Sequence, residues 1–518
     1  MIWQIVRKEL LINVLSLRFL IGCIVAIALM GLVSFVLVQE YASRQQTYLA
    51  DVQWHTEEFN QTKVYSKVNV KIDIPPSPLS VFSRGERDLP TTLTISPYHI
   101  PSILDDGGSG SSISVNGTDR NLVNPLLRVF NTIDLCFVIS IVLSLFSLLL
   151  VFDSMSGERE QGTLKLALSA PVGRVQLLLG KFLGGLITVA IPLTIGFVEV
   201  IIVWLLSPNV VLHASDWAGV ALIYVVSLAY LAGFLSLGLL VSLFAQESST
   251  GLMYLLLVWV LVVFAIPSGL GYLARFNYPI RAEELSSLME LDNRVGELIN
   301  NVPYKQTGSW NNAELSQFEG EALLGITREE VYNRLEYDKK VFPMKFQRVD
   351  DRYRVIKRYS DRLMAWRSTR DATIRPSLSV LYGSFCSAIT GTNIETYELE
   401  LAKARIYRDE LQRYLLPKLE TPAWFTRVLE YPDMEPTAAN YKLWNTLAAK
   451  EGDQVYDKIW SWDKVAPLDL KGMPLLKSEV PGLLVRIGEA GMDLILMVIL
   501  TGVFIAVAFW KVVIYPVD

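Results

Sequence analysis

The sequence predicts an α-helical polytopic membrane protein. It has six transmembrane helices, an N-terminal interfacial helix, a small mixed or β extracytoplasmic insert and a larger, mainly helical extracytoplasmic insert. Three observations predict this class. The mean hydropathy is positive, +0.34, with 51% of residues apolar, a balance that soluble domains seldom reach. Charge is segregated, so that long runs hold no Asp, Glu, Lys or Arg while others are as charged as a soluble domain. The uncharged runs also approach the ~20 residues that a helix needs to cross a hydrocarbon core of ~30 Å, and unpaired backbone groups in lipid are too costly for any other form.

The elements follow in order. In residues 1–16, Ile2, Ile5, Val6, Leu10 and Leu11 recur at helical spacing around Arg7 and Lys8, the pattern of a helix lying in the membrane interface. The first span, residues 17–38, centres on the run Phe19 to Val38. Its basic approach lacks a small-x-small cleavage pattern, so a removable signal peptide is not expected. Residues 39–128 form the first insert. The second span, within 129–152, is the run Leu135 to Phe152. A polar loop, 153–181, leads to three spans within 182–274: Phe182 to Leu206, interrupted by Pro192 and Glu199, then Trp217 to Ala245, and Thr250 to Ala274 with Pro267 near its end. Residues 275–485 form the second insert. Residues 486–518 hold the last span, Met492 to Trp510, and a short tail.

Basic residues set the orientation. Arg7, Lys8 and Arg18 precede the first span, Arg159, Lys165, Arg174 and Lys181 lie in the 153–181 loop, and Lys511 follows the last span, whereas the turn Ser207 to Asp216 has no Lys or Arg. Both termini and the loop are expected in the cytoplasm and both inserts outside it. The net charge of −5 carries no basic surplus, which argues against nucleic acid. Cys23 and Cys136 fall in apolar runs and Cys386 in a polar region, and the histidines are scattered, so neither a disulfide framework nor a metal site is expected.

In the first insert, Val64, Ser66, Val68, Val70 and Ile72 alternate as a strand does, Thr91 to Ser96 alternate again, and the whole reads as extended structure and turns. The second insert opens a helix at the capping box Thr327 to Glu330. Val349, Tyr353, Ile356, Tyr359, Leu363 and Trp366 continue at helical spacing, and a second helical stretch runs from Asn393 to Leu416. Two such helices could pair as a hairpin, and their apolar stripes are expected to form this domain's own core.

The loop DSMSGEREQGTLKLALSAPVGRVQLLLGK, Asp153 to Lys181, is the most informative segment. Gly157 to Thr163 has the glycine spacing of a phosphate-binding loop but lacks its lysine and follows a membrane helix instead of a strand. Nucleotide binding is therefore rejected, and no other stretch offers a nucleotide-binding motif. A short amphipathic helix through Leu164, Leu166 and Leu168, broken at Pro171, is expected in water between two spans, placed to receive force from a soluble partner.

Gly157 to Gly185 resembles the signature of ABC-2-type transporter permeases, with Glu158, Arg159, Glu160, Gly162, Thr163, Leu164, Pro171, Arg174, Gly180 and Lys181 in place. The six-span layout, the entry helix and the two large inserts are similar to a bacterial branch whose members resemble permeases of copper-enzyme maturation and gliding-motility systems. In that branch, stretches like Pro78 to Gly85 and Pro376 to Thr392 recur. The resemblance implies a permease subunit of an ATP-driven exporter in the bacterial cytoplasmic membrane. It would pair with a second permease subunit, as homo- or heterodimer, and with a separate ABC ATPase that holds ATP and Mg. The loop would be the coupling helix, contributing Glu158, Arg159, Glu160, Gly162, Thr163, Leu164, Pro171, Arg174 and Lys181, with Glu158, Glu160 and Arg174 facing water. The chain itself is then not an enzyme. A rival reading keeps the ATPase but has the inserts act on a periplasmic partner without transport.

Two carboxylates near the spans are candidate substrate-path or gating residues. Glu199 lies in the outer half of the third span, where a buried charge is costly enough to need a reason. Asp134 starts the second, where pairing with Arg128 is the alternative. Trp204, Trp217 and Trp510 read as interfacial anchors against lipid.

Overall fold

In a computed structural model of the chain, the described residues are 2–85, 91–101, 133–163, 173–207, 210, 212–270, 282–304, 328–434, 437–452, 455, 458, 461–478 and 480–514. Six of its helices are long and apolar enough to cross a membrane, as expected. They are α2 (Leu17–Asn60), α3 (Leu135–Glu160), α4 (Arg174–Leu206), α5 (Ala214–Phe244), α6 (Ser248–Gly269) and α12 (Leu483–Ile514). Helix α1 (Ile2–Val14) precedes them and packs along α4. The N-termini of α1 and α4, the C-termini of α3, α5 and α12 and the start of α6 gather at one end of the bundle, the loop end. The inserts rise from the other, the insert end.

Helix α2 corrects the first expectation about the insert. It runs unbroken for 44 residues, about 66 Å at helical rise, so that Gln39–Asn60 is helix where extended structure was expected. Hydropathy marks the end of the apolar run, not of the helix. No Gly or Pro lies between Gln39 and Asn60, so nothing local stops propagation past the apolar run. The alternation after Val64 yields only β1 (Val70–Asp73), because Tyr65–Lys67 closes into a 3-10 turn. Strand β1 pairs antiparallel with β2 (Thr92–Ile95), Val70 opposite Ile95 and Asp73 opposite Thr92. Helix α4 begins at Arg174, eight residues before the apolar run. Pro267 falls in a π-helical stretch, Leu261–Leu270, that ends α6, a geometry that relaxes the hydrogen-bond ladder where proline has no N–H.

The second insert contains α7 (Ala282–Asn300), α8 (Arg328–Ile374), α9 (Leu378–Thr390), α10 (Ile394–Leu415) and α11 (Ala438–Glu451). Asn393 caps α10 by accepting from the Thr396 N–H, at the start of the helical stretch expected from Asn393 to Leu416. The first residue of the capping box, Thr327, lies outside the described residues. Val331, Leu335, Phe342 and Phe346 of α8 share a core with Leu401, Ala404 and Leu411 of α10, with Trp424 and with the apolar face of β1 and β2. Both inserts thus contribute to one core, which on α8 is drawn from Val331 to Phe346, upstream of the stripe Val349 to Trp366 read in the sequence.

Helix α9 does not belong to that core. Leu378, Leu381, Tyr382, Phe385, Cys386 and Ile389 are buried among the spans. Its direction follows from its partners. Leu378 lies against Gly233 of α5, whose other neighbour is Thr501 of α12. Ser384 donates to Asp493 at 2.6 Å, and the Ile389 carbonyl accepts from Arg486 at 2.6 Å. From Thr501 through Asp493 to Arg486, the chain climbs back toward the start of α12. The segment after α8 therefore dips into the bundle and returns. Cys386, expected in a polar region, is fully buried there: its polar flanks hide a 13-residue apolar helix too short to register as a span.

Candidate coupling site at the loop end

Helix α3 breaks into a turn after Val151 and resumes as Ser156–Glu160. The Ser242 hydroxyl of α5 accepts from the N–H groups of Met155 and Ser156, both at 3.1 Å. These are among the donors that the start of a helix leaves without intrahelical partners. Gly162 stops the helix at φ +72°, a conformation for which only glycine has no steric cost. The Thr163 hydroxyl then closes back on the Glu158 carbonyl at 3.2 Å. The Gly157-to-Thr163 spacing thus serves helix termination.

The side chains between these points reach inward. Glu158 accepts from Lys181 of α4 at 2.9 Å, and the same ammonium donates to Glu9 of α1 at 2.9 Å. Lys181 is only 3% exposed, and a buried cation between two carboxylates is the arrangement that offsets its desolvation. Helix α1 approaches α4 closely because a Cβ at Gly180 would lie 2.6 Å from Ile5, and one at Gly184 2.8 Å from Glu9. Small residues permit that approach. Arg159 spreads its guanidinium over the carbonyls of Ala245 (2.5 Å) and Leu243 (3.0 Å) at the end of α5. Glu160 accepts from the Ser248 N–H (2.7 Å) and hydroxyl (3.0 Å) at the start of α6, placing negative charge at a helix N-terminus. Arg174 donates to the Val513 carbonyl at 2.6 Å, at the end of α12. Arg18 of α2 pairs with Asp153 at 2.6 Å and lies over Phe152.

Glu158 and Arg174 were expected to face water, and the structure turns them inward as braces. Glu160 is exposed but engaged. Gln161, Gly162 and Thr163 are the exposed tip of the described loop. Leu164, Leu166, Leu168 and Pro171, expected in the amphipathic helix, lie outside the described residues.

The two candidate path residues lie elsewhere. Asp134 is the N-cap of α3, accepting from the Phe137 N–H at 2.7 Å and from the Arg84 N–H at 3.1 Å. It holds the first insert to the bundle, while Arg128 lies outside the described residues. Glu199 sits in α4 against Gly31 of α2, and one buried carboxylate oxygen makes no hydrogen bond. Asp493, which accepts from Ser384, was not predicted, although a single acidic residue in an uncharged run is the signal that marks such a site. Glu9, Ser242 and Ser248 gave no local signal at all. Among the described residues, no group of three His, Cys, Asp or Glu side chains could hold a metal.

Six apolar helices, with a polar loop braced against them at one end, define a polytopic membrane protein. The chain belongs to the ABC-2 family of transporter proteins, whose family model matches residues 3–318. It is 52% identical over 56 residues to the "Probable ABC transporter permease protein NosY" of Pseudomonas aeruginosa, covering 11% of this chain and 20% of that protein. It is 42% identical over 78 residues to the protein of the same name from Stutzerimonas stutzeri, covering 15% of this chain and 28% of that one. The chain thus spans between a fifth and a third of the length of these curated relatives.

Proposed function

We propose that the chain is the permease of an ABC-2 exporter in the bacterial cytoplasmic membrane, driven by ATP and Mg bound on a separate ATPase subunit and paired with a second permease subunit. The loop end then faces the cytoplasm and both inserts lie outside. One observation carries this reading. Residues 153–160 and Arg174 are braced to α2, α4, α5, α6 and α12, and through Lys181 to α1, so a push on the exposed tip Gln161 to Thr163 is delivered to nearly the whole bundle. Such a push biases a two-state equilibrium only if the ATPase binds the two states differently.

The test is reconstitution. Purified permease alone should hydrolyse no ATP, and hydrolysis should appear on adding the ATPase subunit and fall when Gln161 and Thr163 are replaced by bulky residues. Robust turnover by permease freed of ATPase would overturn the assignment.

A second reading, in which the inserts work on an envelope partner without transport, is favoured by α2. Its cytoplasmic end is pinned by Arg18 to Asp153, and its far end by His55 to Asp73 at 2.8 Å and Glu58 to Lys71 at 2.7 Å. One continuous helix thus joins the loop to the insert sheet. ATP-dependent change in a spin–spin distance between the inserts, without substrate flux, would select this reading.

A further inference from the structure

Helix α9 starts deep in the bundle. Leu378, its first residue, lies against Gly233 of α5, which also faces Thr501 of α12. By helical rise, Gly233 is about 17 Å from the loop end of α5 and Thr501 about 20 Å from that of α12. Ser377, just before α9, donates to the Val262 carbonyl, about 21 Å along α6 from Ser248. Three helices thus place the turn between α8 and α9 near the middle of a hydrocarbon core of ~30 Å.

Helix α8 descends to that turn and packs against Leu261–Leu270, the insert-side part of α6. Its end, Arg367 to Arg375, covers about 12 Å of rise and is charged. Asp371 pairs with Arg370 at 2.7 Å and with Arg367 at 3.7 Å, and Arg375 pairs with Asp493 of α12 at 3.3 Å. These ions are not sealed: the side chains of Arg367, Arg370, Asp371 and Arg375 are between 20% and 42% exposed. Thr369 and Thr373 are exposed on the same turns. At comparable depth the exposed side chains of α6 and α12, such as Leu257, Leu261, Phe264 and Val498, are apolar, as lipid requires. An ion at that depth faces the protein interior or water instead. A long arginine can snorkel to the interface, but the short side chain of Asp371 cannot.

We propose that the outer side of α8 from Arg367 to Arg375 lines a water-filled vestibule that opens at the insert end, reaches the middle of the membrane and admits anionic solutes. Three guanidinium groups, of Arg367, Arg370 and Arg375, stand there against the carboxylates of Asp371 and Asp493. The wall is therefore positive, and a cleft lined by one sign of charge concentrates ions of the other. The turn into α9 is its floor. The proposal rests on the orientation given above, with the insert end outside.

The experiment uses the full-length chain in intact cells, with single cysteines added to the native three and the parent as background. T369C and T373C lie on the wall, N69C on the exposed surface of the first insert, Q161C at the loop tip, and L257C and V498C on the apolar outer face of the bundle. The probes are two membrane-impermeant methanethiosulfonates, one carrying a sulfonate and one a trimethylammonium group. Both wall sites should react from outside, and L257C and V498C should not. The sulfonate-to-ammonium rate ratio at the wall should exceed that at N69C by about tenfold. That excess should shrink with added salt and in Arg370→Gln. If N69C reacts and neither wall site does, lipid or a second copy of the chain covers α8 and the vestibule is overturned. Reaction at the wall with the ratio of N69C would overturn the preference for anions. Labelling at Q161C but not N69C would overturn the orientation alone, and the wall sites would then be read in inside-out vesicles.

Discussion

At the loop end, three residues adjacent in sequence, Glu158, Arg159 and Glu160, reach α4, α5 and α6. At the insert end, comparable bracing comes from Asp134, Ser384, Thr392, Arg486 and Asp493, which no short stretch contains. Thr392, for example, donates to the Ser83 carbonyl at 3.2 Å, beside Gly85 at φ +54°. The segments Pro78–Gly85 and Pro376–Thr392, one from each insert, meet there. The two ends differ in what an alteration should do. A loop-end change breaks several helix contacts at once, while an insert-end change releases one dipping segment.

The sharpest break is Lys181→Met. It leaves Glu9 and Glu158 partly buried without their cation, a situation that costs about 3–5 kcal/mol. The expected outcome is loss of folded protein from detergent-solubilised membranes, partly restored by adding Glu9→Gln and Glu158→Gln. Wild-type thermal stability in the single variant would show that the loop end is not braced through this ammonium.

Next in size is Asp493→Ala, which strips Ser384 of its acceptor and Arg375 of its ion pair at 3.3 Å. A hydrogen bond to a charged group is worth about 1.5–3 kcal/mol, and Arg375 adds little because it is 42% exposed and solvent screens it. The expected signature is local. Hydrogen exchange should quicken across α9 and leave α1 and α4 unchanged. Uniform quickening would erase the distinction between the two ends.

Smaller still is Glu160→Gln, because the amide oxygen can still accept from Ser248 at an exposed site, and such changes stay within about 0.5 kcal/mol. Unchanged stability with reduced ATPase stimulation would assign the charge to docking. Equal behaviour in both assays would leave Glu160 a brace only.

The smallest effect lies in the insert core. Burial raises the Asp338 carboxyl above its ordinary 3.8, against the opposing pull of Arg334. A raised folded value means that the group's contribution is fully present below the unfolded value and is lost as pH rises through the folded one. Stability of the insert domain should therefore fall slightly across that window, and Asp338→Asn should flatten the profile in thermal scans at stepped pH.

Much of the first end was legible because its chemistry is local. Helical spacing placed α1, and hydropathy placed the spans. The motif residues were visible as a set, yet their direction was not: Glu158 and Arg174 look like surface charges until Lys181 and the end of α12 are folded against them. The second end was illegible for a different reason. Helix α9 is shorter than the ~20 residues that mark a span and is flanked by Arg375 and Asn393, so its apolar run reads as part of a soluble domain. The extension of α2 escaped because hydropathy reports where lipid ends, while only a helix breaker reports where helix ends.

The placement of α9 also sets an order of assembly. Its partners on α5, Ser227 and Gly233, leave the ribosome before it does, but those on α12, Arg486, Asp493 and Thr501, leave after it. For that interval α9 has one wall of its berth and not the other, and its apolar side chains face whatever surrounds the nascent chain. Such intermediates are where chaperones and proteases act. A chain that stops before Leu483 therefore loses more than one span: it strands a helix already made, and quality control should remove it faster than a chain that stops before Leu378.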